Sequence, residues 1–161
     1  MTNTAPPASP TLYILAASAM IAYGDDEPGK DVVASALGDP NGACYAHAVN
    51  VFEVYYQARR YAGEDAAQLA IRELDFQGVE FRHDLDRPFW EQAGRIKADH
   101  ARVSIADCFG LALALRLGGQ FLTADHGELD TLAAAGFPIT FIRTDAEFRA
   151  WQAAQQPGRT P

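Results

Sequence analysis

Three acidic residues stand where they could serve one hard cation. Glu53 lies in Val51-Phe52-Glu53-Val54-Tyr55-Tyr56, Asp107 in Ile105-Ala106-Asp107-Cys108-Phe109, and Asp125 in Leu122-Thr123-Ala124-Asp125-His126. The first two runs are largely apolar and carry no basic residue. Burying an unpaired carboxylate costs roughly several kcal/mol unless something offsets it. Acids brought together in apolar surroundings suit a hard divalent cation, which takes oxygen ligands. Each acid also has a structural explanation. Ser104 with Asp107 matches a capping box, as does Asp125 with Glu128, so both could close helix starts. Glu53 sits off the apolar stripe of its helix and could be a solvated residue.

The acids can meet only if the elements around them bring them to one edge. Short apolar runs at 12–15, 44–48, 79–82, 120–123 and 139–142 predict strands. They are continuous rather than alternating, which suits a parallel sheet covered on both faces. Helical patterns at 29–37, 50–62, 64–76, 88–101, 104–117, 127–135 and 146–154 fill the gaps. Val51, Val54, Tyr55 and Ala58 make the stripe of the second of these, and Gly63 ends it. Strands separated by helices imply crossover units in an α/β domain of three layers, with a central parallel sheet of four to five strands. Ligands of such sheets bind at the carboxyl ends of the strands, near the point where strand order reverses. In this reading Asp125 lies two residues past the fourth strand, while Asp107 and Glu53 lie in the first turns of helices.

Composition bounds the rest. The chain has 161 residues, enough for one domain with its own core. The globular part is expected over 11–154, between proline-containing tails at 1–10 and 155–161. Cys44 and Cys108 sit among apolar residues and read as buried thiols of a reducing compartment. The apolar run at 12–23 has no Lys or Arg before Lys30 and is too short to span a bilayer, so a cytoplasmic protein without a membrane association is expected. The net charge of −8 opposes generic binding to a phosphate backbone. Contact with nucleic acid would need bound cations or a local basic rim, for which Arg59, Arg60, Arg87, Arg95, Lys97 and Arg102 are the candidates.

Five stretches carry a resemblance to a known family. They are Tyr13-Ile-Leu-Ala-Ala-Ser-Ala-Met-Ile-Ala-Tyr23, Asp26-Glu-Pro-Gly29, Ala48-Val-Asn-Val-Phe-Glu-Val-Tyr-Tyr56, Ser104-Ile-Ala-Asp-Cys-Phe-Gly-Leu-Ala112 and Leu122-Thr-Ala-Asp-His126. In this order the chain resembles the PIN domains, and within them the VapC-type toxins of toxin–antitoxin pairs. The resemblance implies an α/β/α domain whose four acids bind magnesium or manganese and hydrolyse RNA as an endoribonuclease. It also implies a cognate antitoxin and a homodimer. Glu53, Asp107 and Asp125 take the second, third and fourth acidic positions, as metal-binding and catalytic residues. The first position, usually read Leu-Asp-Ala-Ser, is Leu15-Ala16-Ala17-Ser18 here, so Ala16 stands where the family has aspartate. Ser18 and Thr123 are supporting candidates, with a helix cap as the other reading of Ser18, and His126 is a candidate phosphate contact. The alanine implies impaired catalysis, whether it is an engineered deletion of the side chain or the mark of a natural pseudo-enzyme. A non-catalytic protein-binding module on the same fold is the alternative.

Overall fold

The computed structural model describes residues 9–156, so the expected tails at 1–10 and 155–161 fall mostly outside it. The apolar runs become five strands: β1 (Thr11–Leu15), β2 (Gly42–His47), β3 (Glu80–Arg82), β4 (Gln120–Thr123) and β5 (Ile139–Phe141). All neighbouring pairs are parallel, in the order β3-β2-β1-β4-β5. Strand order therefore reverses beside β1, between β2 and β4. A crevice forms at such a reversal because the following helices leave on opposite faces.

Eight helices flank the sheet among the described residues: α1 (Ala17–Gly24), α2 (Lys30–Leu37), α3 (Ala48–Ala62), α4 (Glu64–Phe76), α5 (Arg87–Asp99), α6 (Ile105–Leu117), α7 (Glu128–Ala134) and α8 (Asp145–Ala154). Successive strand residues point to opposite faces, and the two halves of the core follow from this. Leu15 and Leu122 join Met20, Val33, Val54 and Leu74 under α1 to α4. Ile14 and Phe121 join Phe89, Ile96, Leu111, Leu113 and Leu132 under α5 to α7. Each such aliphatic side chain contributes about 1.5–3 kcal/mol by leaving water. Helix α6 is buried from Ala106 through Ala114 apart from Phe109, as its apolar character on every side requires.

Close approaches fix the periphery. Gly29 starts α2 at φ 92°, and a Cβ there would stand 2.7 Å from the Ile142 carbonyl oxygen. Only glycine meets both conditions without strain. Above it, Arg143 forms an ion pair with Glu27, both largely buried, and lies 3.8 Å from the Phe148 ring centroid. Cys44 and Cys108 are unpaired and buried, and burial pushes both thiols up to about 11. No helix among the described residues is long and apolar enough to cross a membrane.

Candidate metal centre

The three acids arrive on separate elements, each pinned locally. Helix α3 begins at Ala48, two residues before the sequence pattern placed it, because the buried His47 serves as its cap. His47 Nδ1 accepts from Val49 N, while Nε2–H donates to the Asp84 carbonyl at 2.9 Å. The earlier start moves Glu53 from the expected first turn to the second. It also ends β2 at His47 rather than at residue 48. One turn before Glu53, Asn50 is fully buried, and its Nδ2 donates to the Ala106 carbonyl at 3.1 Å. That bond ties the start of α3 to the residue preceding Asp107.

Ser104 caps α6 and acts on Asp107 twice. Its Oγ accepts from Asp107 N at 3.0 Å and donates to Asp107 Oδ2 at 2.7 Å. Asp125 follows β4 on a bend fastened to α1. Ser18 Oγ accepts from Ala124 N at 3.0 Å and lies 3.2 Å from Thr123 Oγ1, which in turn accepts from Asp125 N at 3.1 Å. Ser18 thus braces the β4 end and is no helix cap, since α1 has no side-chain cap.

Glu53, Asp107 and Asp125 line one cleft of about 270 Å³, together with Ser104, Arg102 and Glu128. Asp107 is the deepest, and burial pushes its carboxyl up to about 7; the Ser104 hydroxyl opposes the shift, and the charges of Asp125 and Glu53 add to it. Burial raises Glu53 too, with help from Asp125, against the hydrogen bond that Gln57 Nε2 donates to Glu53 Oε1 at 3.1 Å. The three carboxylates therefore feel one another. Ala16 is fully buried and lies outside the lining, but it shares an apolar cluster with Val103 and Leu129, which do line the cleft.

One capping assignment changes. The Asp125–Glu128 pair closes no helix; α7 is capped by Gly127, whose N–H donates to Asp130 Oδ2 at 3.0 Å. Asp125 is thereby left exposed and open to a ligand. His126 is occupied structurally: Nε2–H donates to the Arg143 carbonyl, Nδ1 meets Asp130, and the ring stacks on Phe141 at 4.3 Å. Most of the expected basic rim is also engaged. Arg59 pairs with Glu64, Arg87 and Arg95 pair with Glu91, Arg60 packs over Tyr61, and Lys97 donates to main-chain carbonyls. Only Arg102 of that set lines the cleft. Sequence reading missed two contributors, Asn50 and Glu128. Their spacing was the available signal, three residues before Glu53 and three after Asp125.

The donor set fits magnesium or manganese in kind: carboxylate oxygens, one of them buried with no cation paired to it. Among the described residues, no three His, Cys, Asp or Glu side chains stand close enough to hold an ion as placed.

The fold recurs in solved toxin structures. DNA-bound VapBC from Salmonella typhimurium superposes with a TM-score of 0.63 at 15% identity, covering 83% of this chain and 99% of that one. VapBC-1 from nontypeable Haemophilus influenzae gives 0.62 at 16% identity, over 82% and 98% of the two chains. VapC20 of Mycobacterium tuberculosis, a sarcin–ricin-loop-cleaving toxin, gives 0.61 at 22% identity, over 78% and 95%. No curated protein matches the sequence significantly. The PIN domain family model matches residues 13–135, well over half of the chain, so this chain belongs to the PIN domain family.

Proposed function

We propose that this chain carries the machinery of a metal-dependent endoribonuclease toxin, controlled by a cognate antitoxin, and that Ala16 leaves it impaired. One observation carries the reading: Glu53, Asp107 and Asp125, remote in sequence, line a single cleft at the reversal of strand order. Family membership supports a nuclease, and the VapBC complexes among the similar structures support an antitoxin partner. VapC20 supports RNA as the substrate.

In this reading Asp107, Asp125 and Glu53 hold magnesium or manganese. When bound, such an ion polarises a phosphate and lowers the pKa of a coordinated water. The protein's part is orientation and proton handling. Ser104 fixes Asp107 Oδ2, and Ser18 with Thr123 fixes the main chain at Asp125. Gln57 holds Glu53 Oε1, which leaves Oε2 to accept a proton from water. Ala16 offers no oxygen, and misplacing reacting atoms by about 1 Å costs about a hundredfold in rate.

The decisive comparison is Ala16→Asp against the parent chain on a broad set of RNAs. Ala16→Asp should cleave with magnesium or manganese, stop with chelator, and exceed the parent by about a hundredfold. A folded Ala16→Asp that is inert under all these conditions sinks the enzyme reading.

A second reading, a non-catalytic protein-binding module, has its own support. A groove of about 470 Å³ between α1 and the α3–α4 hairpin is lined by Met20, Ile21, Val54, Tyr61, Leu69 and Leu74, and none of the three acids borders it. Calorimetric titration with manganese separates the two. Under the module reading, Ala16→Asp gains no divalent site.

A further inference from the structure

The acidic cleft has one cationic wall. Arg102 lines it from the turn between α5 and α6, and that turn is tightly held. Lys97 Nζ donates to the carbonyls of Ala101 and Val103, each at 2.7 Å. Arg102 N donates to Glu128 Oε2 at 2.9 Å, and Val103 N to the His100 carbonyl at 3.0 Å. The main chain around Arg102 is thus fixed by Lys97 of α5 and Glu128 of α7.

Its guanidinium is not used in the same way. Among the described residues Arg102 makes no ion pair, although Glu53, Asp107, Asp125 and Glu128 border the same cleft. Arg59, Arg87 and Arg95 are each paired with an acid beside them. A polyanion approaching a protein of net charge −8 meets repulsion almost everywhere. Arg102 is exposed and, among the described residues, unpaired, so it offers the one guanidinium of this lining to an anion. Its planar fork matches two phosphate oxygens, and its anchored main chain lowers the ordering cost of the contact.

We propose that Arg102 is the phosphate-binding residue of this cleft, gripping one backbone phosphate of a single-stranded RNA next to the three acids. The assignment rests on the nuclease reading above and adds how the substrate is seated. Glu128 acts through it as a positioning residue, holding the Arg102 main chain rather than touching RNA.

The test uses the full chain with Ala16 retained, a fluorescent single-stranded RNA and magnesium, titrated with monovalent salt. Each phosphate contact on a single strand contributes about 0.7 to the slope of log K against log salt. Arg102→Ala should bind about tenfold more weakly at low salt and lose about 0.7 of that slope. Arg102→Lys should keep the slope, and Arg95→Ala should match the parent. Thermal melting should be the same for the parent and Arg102→Ala, since the side chain has no partner to lose. Equal affinity and slope for Arg102→Ala and the parent overturn the Arg102 assignment while leaving the nuclease reading intact. If neither the parent nor any variant binds RNA at any salt, both fall together.

Discussion

Asp107 is the residue on which burial and function pull in opposite directions. It is buried in the first turn of α6, and its carboxyl is held up to about 7 because charge is costly there. In the unfolded chain an aspartate titrates near 3.9. The folded state therefore binds the proton more tightly, so the contribution is intact at acid pH and is lost as pH rises from about 4 through about 7. Asp107→Asn removes the charged form. In metal-free protein it should raise stability by about 1–3 kcal/mol at pH 8 and change it little at pH 4. Urea unfolding of parent and variant at both pH values measures the difference. Equal gains at pH 4 and pH 8 would mean that Asp107 is not the buried acid described. Magnesium should restore parent stability at pH 8 and have no such effect on Asp107→Asn.

The helices that carry the acids are set by contacts of very close fit. Gly110 faces the Phe121 ring so closely that a Cβ would collide with it, and the same Cβ would stand 3.1 Å from Asn50 Nδ2. Gly110→Ala should therefore push α6 from β4 and strain the Asn50 bond to Ala106. A cost of about 1–3 kcal/mol is expected, read as a lower urea midpoint. An unchanged midpoint would show that α6 does not press on the sheet there. This is also the scale at which sequence reading succeeds and fails. The central strands β1 and β4 were legible because covered parallel strands are largely apolar. The start of α3 was not, because a histidine ring caps it instead of Ser, Thr, Asp or Asn, and the run of β2 reads on through Ala48 as strand. Asp125 and Glu128 have the spacing of a capping box, yet Glu128 turns to the Arg102 main chain, 26 residues away. A contact of that range leaves no local pattern. The proposal that Ala16 stands at an acidic position rests on resemblance alone, since nothing in a buried methyl announces a missing oxygen.

At the scale of the molecule, strand order explains why one edge gathers residues from 53 to 125. With β1 in the middle, the chain after β2 and the chain after β4 both emerge at its carboxyl end. The same organisation assigns a task to the last segment. The family match ends at residue 135, before β5 and α8, yet Arg143 beyond it neutralises Glu27 near the start of the fold. A chain shortened to end at Ile142 would leave that carboxylate enclosed without its counter-charge, a loss of about 3–5 kcal/mol. Whole domains hold only about 5–15 kcal/mol, so circular dichroism of the shortened protein should show a large unfolded population at 25 °C. A truncated form that melts like the full one would refute this. Expression boundaries drawn from sequence similarity alone would thus discard a latch that joins the two ends of the domain.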